Sequence, residues 1–204
     1  MTEINKPQNV NFQNTDLTLQ SDRTQTDETE DLNVFGGQSD KKDIGDIHGV
    51  GESHKYGTIN NTNFDIRVDF FNDINGQVNG KNVKLDYKPH LLAHDEYVGQ
   101  VGDKQVHFEI RGVVFSSSKN YEGNYGDTKF SINYKDSIRP KISGKFGNQE
   151  VNIEIDENLF EADDILTTDN LPKDMEEFFP VLYTVMNYEH EKEQAAARRR
   201  NSDF

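Results

Sequence analysis

His90 and His94 stand four residues apart in the segment Pro-His-Leu-Leu-Ala-His-Asp-Glu, which begins at Pro89. Side chains at this spacing share one face of a helix, so two imidazoles could bind a metal ion together with Asp95 or Glu96. Such a site would support metal-dependent hydrolysis. The sequence specifies no third ligand, and the segment is a short connector after a proline. A polar loop is therefore the alternative interpretation of the two histidines.

Other polar groups carry less specific patterns. The acids from Asp156 to Asp164 could attract Ca²⁺, but they lack the Asp-x-Asp-x-Asp-Gly loop. His107 precedes Glu109 by two residues and could act as a general base, or simply form an exposed cross-strand pair. The serines at 116–118 carry no nucleophile elbow, and no Gly-rich phosphate loop precedes a helix. We therefore assign no catalytic residue and no cofactor.

The composition limits the classes of partner. The 204 residues carry a net charge of −15, which argues against binding to nucleic acid. There is no cysteine, and hence no disulfide framework or thiolate metal site. No stretch approaches the roughly 18 consecutive apolar residues of a membrane-spanning helix. Contact with a membrane surface through Lys119, Lys141, Lys145 and the triplet Arg198–Arg200 is kept as an alternative.

One sequence pattern occurs five times between Gly57 and Ile155. It begins with a glycine, any residue and an apolar residue, here called the first apolar anchor. Five positions after that anchor stands a second one, which begins a run of alternating apolar and polar residues. The glycines are Gly57, Gly76, Gly99, Gly123 and Gly144, and the alternating runs begin at Phe64, Val83, Val106, Phe130 and Val151. Alternation with a period of two indicates strands with one buried and one solvated face. The linkers are rich in Asn, Gly and Asp, which suit tight turns. Each copy therefore predicts a β-hairpin. If the two apolar anchors pair across the ladder, the turn has two central residues and one flanking pair.

Ten strands that share one apolar face must curl into a barrel or be covered by another element. The segment 178–188 supplies the cover, because only Thr184 and Asn187 in it are polar. A helix that is apolar on nearly all sides is surrounded by protein. Pro180 either lies in the first turn of this helix or kinks a helix that began near Lys173. We predict a mainly β fold, namely an antiparallel barrel or strongly curled sheet of about ten to twelve strands around this helix.

Four segments follow from these patterns. Residues 1–53 are polar and acidic and predict a disordered leader. Residues 54–171 form the hairpin barrel, residues 172–200 form the C-terminal helix, and residues 201–204 are a tail. The leader has no apolar signal region, so the expected location is the cytoplasm, or export without a standard secretory signal. It could serve as an export leader or as a docking arm for a partner.

The hairpin series from Gly57 to Ile155, followed by the apolar segment 178–188, resembles the tubby-like and phospholipid-scramblase superfamily. That resemblance implies about twelve strands, and the further two could come from 113–115 or 158–160. The Tyr-x-Gly starts at Tyr97 and Tyr121 are also similar to MORN repeats, without their second glycine pattern. Phosphoinositide binding, known for some superfamily members, needs a basic pocket, and no such cluster is visible in the sequence.

The predicted function is a non-enzymatic binding or structural module that engages a protein partner. The core is consumed by packing, and the charges of the wet face are mixed. Two alternatives belong to other classes: a metal-dependent hydrolase that uses His90 and His94, and a barrel that binds a lipid surface.

Overall fold

The computed structural model describes residues 42–49, 53–91, 94–112, 117–157, 163–168 and 171–202. They form twelve strands, a single 3₁₀ turn at Lys173–Met175 and one α-helix, α1, at Phe179–Ser202. The strands are β1 (Lys42–Gly49), β2 (His54–Ile59), β3 (Thr62–Val68), β4 (Ile74–Val78), β5 (Lys81–Lys88), β6 (Asp95–Val101), β7 (Lys104–Gly112), β8 (Ser118–Tyr125), β9 (Thr128–Lys135), β10 (Lys141–Phe146), β11 (Gln149–Glu157) and β12 (Asp163–Thr168).

The strands close into an antiparallel barrel in which each one pairs with its neighbours in the chain, and β1 also pairs with β12. The predicted fold class is confirmed. The two strands beyond the predicted ten are β1, which lies inside the segment assigned to the leader, and β12. Residues 113–115 and 158–160, where the sequence suggested further strands, lie outside the described residues, as do residues 1–41 of the leader.

The predicted hairpins are present, and their register shows which residues face each other. The two apolar anchors do not pair with each other: Ile59 pairs with Thr62, and Phe64 pairs with Gly57. The repeated glycine therefore faces the first apolar residue of the next strand in every hairpin, as Gly76 faces Val83. A Cβ on Gly76 would lie 2.2 Å from the carbonyl oxygen of Asp65, and its φ is +157°. Glycine is required there because the neighbouring backbone comes too close for any side chain.

The two ends of the barrel are built differently. At one end, here called the tight-turn end, a two-residue turn joins the two strands of each hairpin. The five turns lie at 60–61, 79–80, 102–103, 126–127 and 147–148. Asn60 and Asn61 have φ of 46° and 65°, a conformation that asparagine tolerates. Longer connections join the strands at the other end, which we call the helix-exit end because α1 leaves the barrel there.

Helix α1 runs along the inside of the barrel from the tight-turn end. A barrel of twelve strands about 4.8 Å apart and tilted by about 40° has a diameter of roughly 24 Å, which leaves room for one helix between inward-pointing side chains. The residues from Phe178 to Met186 are buried, and Pro180 lies in the first turn, one of its two predicted positions. Phe178 lies among four barrel aromatics, with ring centroids 4.9 Å from Tyr125 and 5.0 Å from Phe130.

Candidate functional site

The two histidines proposed as metal ligands do not share a helix face. Both lie in the connection between β5 and β6 at the helix-exit end, and neither is helical. Nε2 of His90 lies 3.5 Å from one carboxylate oxygen of Glu96, and Nε2 of His107 lies 3.6 Å from the other. Within the described ranges, no three His, Asp or Glu side chains form a group that could hold a metal ion. The arrangement found is one carboxylate between two half-exposed imidazoles.

Glu109, which follows His107 by two residues on β7, is held by Arg111. His107 instead forms an exposed cross-strand pair with Glu96 on β6. Arg111 donates hydrogen bonds to Glu109 from Nε at 3.2 Å and from Nη2 at 2.9 Å, and it also pairs with Glu122 at 3.1 Å. The hydrogen bond from Arg111 is the main cause that lowers the pKa of the Glu109 carboxyl. A carboxylate held ionised in this way is a weak base. This outer-face cluster is therefore suited to solvated ion pairing rather than to proton transfer.

The cations proposed to contact lipid are not brought together. Lys119 is largely buried beside α1, and Lys141 pairs with Glu154 at 3.7 Å at the start of β10. Lys145 lies four residues further along β10, toward the tight-turn end. Of the proposed calcium stretch, Asp156 and Glu157 end β11, Asp163 and Asp164 begin β12, and residues 158–162 lie outside the described residues. Lys119, Lys141 and Lys145 thus form no single basic face.

A layer of buried charge surrounds α1 where it leaves the barrel. Nζ of Lys119 lies 3.8 Å from the carboxylate of Glu189 and 3.1 Å from that of Glu193, and it donates a hydrogen bond to the Glu189 carbonyl oxygen at 3.3 Å. The side chains of Lys119 and Glu189 are only 12% and 8% exposed. Lys55, also buried, pairs with Glu191 at 3.8 Å. These contacts tie the exit turn of the helix to β8 and β2, on opposite sides of the barrel.

Two tyrosines are buried next to this layer. The hydroxyls of Tyr97 and Tyr121 are enclosed and hydrogen-bond to no described protein atom. Burial raises the pKa of both phenols, and the negative charge of Glu189 raises them further. Buried hydroxyls without a protein partner commonly bind an internal water molecule. Tyr87 nearby has a partner, because its hydroxyl donates to Asp95 at 2.6 Å.

A small pocket opens beside the exit layer, and its residue types superficially match a hydrolase triad. Its volume is about 30 Å³, and its lining comprises Ser117, Ser118, Lys119, Tyr134, Asp136, His190 and Glu193. Nδ1 of His190 lies 3.8 Å from Asp136, but Nε2 is engaged by the Gln194 side chain at 2.7 Å. That contact occupies the nitrogen a serine would need. The volume suits a bound water rather than a substrate.

Four large apolar side chains are exposed in the connections at the helix-exit end. Phe70 and Phe71 in the β3–β4 connection are 93% and 73% exposed, Leu91 in the β5–β6 connection is 99% exposed, and Ile138 in the β9–β10 connection is fully exposed. We call these four the loop hydrophobics. The β3–β4 and β9–β10 connections lie half a turn of the barrel apart. Sequence reasoning missed this feature, because it treated the connectors only as polar loops.

The tight-turn end carries a polar cleft instead. A shallow depression of about 510 Å³ is lined by Asp103, Lys104, Gln105, Tyr125, Gly126, Asp127, Thr128 and Asp174. Nζ of Lys104 lies 4.5 Å above the ring of Tyr125. Among the described residues, the large hydrophobics that are exposed include none from the turns of this end.

No protein-family model matches the chain, and comparisons with curated proteins and with solved structures return no match. Within the part of the chain that the structure describes, no helix combines the length and the apolar character needed to cross a membrane. The class of protein is therefore defined by its architecture: a closed, twelve-stranded antiparallel β-barrel around one C-terminal helix.

Proposed function

We propose that this protein is a non-enzymatic binding module that engages a protein partner through the loop hydrophobics. The observation that carries the proposal is their exposure in the connections at one end of a barrel whose inward-facing apolar side chains form a buried core. Four such side chains expose apolar surface on the order of 500 Å², more than half of the roughly 800 Å² that each partner buries in a standard interface.

A protein surface fits this end better than a bilayer does. Beyond Glu191, α1 continues for eleven residues to Ser202, about 16 Å at 1.5 Å per residue. This stretch is polar, so it would not enter a hydrocarbon layer, and it stands between the loop hydrophobics on opposite sides of the barrel. A flat bilayer could not reach all four at once, whereas a protein with a recess could. The net charge of −15 also disfavours an anionic membrane.

Two further expectations join this proposal. The closed barrel with its enclosed helix supports a relationship to the tubby-like and scramblase superfamily on architecture alone. The predicted leader supports a location in the cytoplasm or export without a standard signal, and a role as a docking arm in a larger assembly. Neither expectation is needed for the binding surface itself.

The test compares a loop variant with a matched variant at the other end. The loop variant carries Phe70→Ser, Phe71→Ser, Leu91→Ser and Ile138→Ser. The control carries four serines at exposed positions near the tight-turn end: Gln77→Ser, Asn82→Ser, Lys129→Ser and Gln149→Ser. Each protein is crosslinked in the source cells and recovered, and any captured protein is then purified and titrated. We expect a partner that binds the wild type and the control equally, and the loop variant at least about tenfold more weakly.

Equal binding of that partner to the loop variant and the control would refute the proposed surface. The enzymatic alternative has its own measurement, a zinc titration of the wild type and of the variant His90→Ala/His94→Ala. Stoichiometric zinc uptake that the double substitution abolishes would favour the metal-dependent hydrolase over the binding module.

A further inference from the structure

We propose that Phe70 and Phe71 anchor the binding surface, and that the β3–β4 connection presents their rings in a turn that is formed before the partner binds. Asp69 and Tyr188 are the positioning residues of this turn. The inference rests on the proposed function and deepens it, because it divides the loop hydrophobics into an anchor and a periphery. The occupant is a basic protein with an apolar recess that accepts the two rings.

The β3–β4 connection, residues 69–73, is closed by hydrogen bonds of its own. Oδ1 of Asp69 accepts hydrogen bonds from the backbone N–H groups of Phe71 at 2.8 Å and of Asp73 at 3.0 Å. The N–H of Asp69 donates to the carbonyl oxygen of Asp73 at 2.9 Å, and the N–H of Asn72 donates to that of Asp69 at 3.0 Å. Asn72 has a φ of 68°, which asparagine tolerates. One carboxylate thus fixes the path of the backbone that carries both rings.

Helix α1 and strand β5 hold the turn from the barrel side. The hydroxyl of Tyr188 donates a hydrogen bond to Oδ1 of Asn72, and Oδ1 of Asp73 accepts one from the backbone N–H of Tyr87 at 2.7 Å. Both tyrosines pack against the core of the barrel. Tyr188 directly precedes the buried Glu189. The turn is therefore attached to the part of α1 that is held inside the barrel.

The two phenylalanine rings also orient each other. Their centroids lie 5.6 Å apart and their planes cross at 83°, which is the edge-to-face arrangement that aromatic pairs prefer. The contact is made in the open, because both rings are exposed. Side chains and backbone that are ordered before binding lose less conformational entropy when a partner covers them. A preformed turn therefore makes this pair a stronger anchor than two independent exposed rings.

The remaining loop hydrophobics suit the periphery of the interface. Aromatic residues are enriched among those that dominate binding energy, whereas leucine is under-represented, and contacts of little energy surround the anchor and exclude water. Leu91 and Ile138 are aliphatic and lie in separate connections. Ile138 is half a turn of the barrel away from the phenylalanine pair. The binding energy should therefore be concentrated at Phe70 and Phe71.

The charges around the rings favour a basic partner. Asp69 and Asp73 flank the pair, and the whole chain carries a net charge of −15. A partner of opposite charge associates faster and more specifically. A carboxylate has about four acceptor sites, and the turn uses two of those on Asp69. The others are suited to a lysine or arginine at the border of the recess.

The turn itself is tested without a partner, by amide hydrogen exchange measured by NMR on the full chain. The variants are Asp69→Ala, Asp69→Asn and Tyr188→Phe. Asparagine removes the charge but keeps an acceptor oxygen, so the difference between the two substitutions isolates the acceptor. The matched controls are Asp86→Ala on β5 and Tyr56→Phe on β2, both at exposed positions.

The amides of Phe71 and Asp73 report on the turn. We expect Asp69→Ala to raise their exchange rates at least about tenfold, and Tyr188→Phe to raise them about threefold. Asp69→Asn and the two controls should leave the rates within about twofold of the wild type. All variants should keep the unfolding midpoint of the barrel, since the turn lies outside the core.

The anchor is tested by titration with the partner protein purified after crosslinking in the experiment described above. Phe70→Ser/Phe71→Ser should raise the dissociation constant at least about tenfold, and Leu91→Ser/Ile138→Ser less than about threefold. Asp69→Ala should raise it at least about tenfold and Asp69→Asn less than about threefold, because only the alanine variant loses the turn. For the wild type, the constant should rise at least about fivefold between about 50 and 500 mM salt.

Equal exchange rates in Asp69→Ala and Asp69→Asn would overturn the preformed turn. A Leu91→Ser/Ile138→Ser variant that binds as weakly as the phenylalanine variant would overturn the anchor, and binding that does not depend on salt would overturn the basic partner. A four-serine loop variant that binds like its control is a different outcome. It would refute the proposed function and the anchor together, even where the exchange rates show the turn to be formed.

Discussion

The two ends of this barrel place polar and apolar groups in opposite ways. At the tight-turn end, the aromatic cluster around Phe178 is inside and the ion pair Lys81–Glu177 is outside, with side chains 43% and 28% exposed. At the helix-exit end, the ion pair Lys119–Glu189 is inside and the loop hydrophobics are outside. The first arrangement is what folding alone favours. The second costs stability at both positions, and this departure is the basis of the binding surface proposed above.

The helix explains why the exit end carries buried charge. The fully buried apolar part of α1 ends at Met186 and residues 189–194 are polar, yet Glu189 is still enclosed by the strands. A carboxylate in this position needs cations, which Lys119 and Lys192 supply at 3.8 Å and 3.4 Å. The polar layer therefore fixes how far the helix can move along the barrel axis.

The largest effect is expected inside the tight-turn end. Phe178→Ala removes a ring that contacts Tyr125, Phe108, Phe130 and Phe146. The cavity should lower the free energy of unfolding by about 3–5 kcal/mol. Phe70→Ala at the exit end should change it by less than about 0.5 kcal/mol, because that ring is 93% exposed. Urea unfolding measures both values. An equal loss of unfolding free energy in the two variants would show that Phe70 is packed in solution, and would contradict the proposed difference between the two ends of the barrel.

A second prediction compares the two ion pairs. Lys119→Met leaves the buried Glu189 carboxylate with Lys192 as its remaining cation. The free energy of unfolding should fall by about 2 kcal/mol, and the double variant Lys119→Met/Glu189→Met should regain most of that loss. Lys81→Met should cost less than about 1 kcal/mol, because Lys81 and Glu177 are largely solvated. Guanidinium unfolding of the three variants measures both values. A similar fall in the free energy of unfolding for Lys119→Met and Lys81→Met would contradict the difference expected between the buried and the exposed ion pair.

The smallest effect concerns alkaline pH. Burial is the main cause that raises the pKa of Tyr87, Tyr97 and Tyr121 near the exit end and of Tyr125 at the tight-turn end. Unfolded tyrosines ionise near pH 10, so the contribution of these four to the free energy of unfolding should be constant below that pH and fall as the pH rises above it. Absorbance at 295 nm should show that at least these four of the eight tyrosines titrate only on unfolding. Eight phenols that all titrate near pH 10 in the folded protein would contradict this burial.

The sequence predicts the barrel where alternation is strict. The residues Phe64, Ile66 and Val68 are all buried, as their period of two indicates. The prediction fails at β1, where a register shift between Asp43 and Gly45 interrupts the alternation of its two buried isoleucines, Ile44 and Ile47. A bulge changes which face each side chain points to, so a pattern of alternation cannot detect such a strand.

The candidate site was less accessible to sequence reasoning than the fold. Apolar residues such as Phe70 and Ile138 lie singly or in pairs among polar residues, and a sequence does not tell an exposed side chain from a buried one. The Lys119–Glu189 pair joins residues 70 positions apart, so no local spacing could reveal it. The helix was predictable because its apolar character is continuous from Phe178 to Met186, which needs no knowledge of its neighbours.

The barrel is closed by the pairing of β1 with β12, in which Lys42 faces Thr168. The aromatic cluster at the tight-turn end is completed only when Phe178 is present. During synthesis, the hairpins from β2 to β11 therefore form before the residues that cover them exist, and their apolar faces stay exposed until those residues are made. At about 5–20 residues per second this interval lasts several seconds, long compared with the microseconds in which a hairpin forms. Such long-range closure also makes folding slow. We expect the nascent chain to be a substrate for a holding chaperone until the buried part of the helix, Phe178–Met186, has left the ribosome.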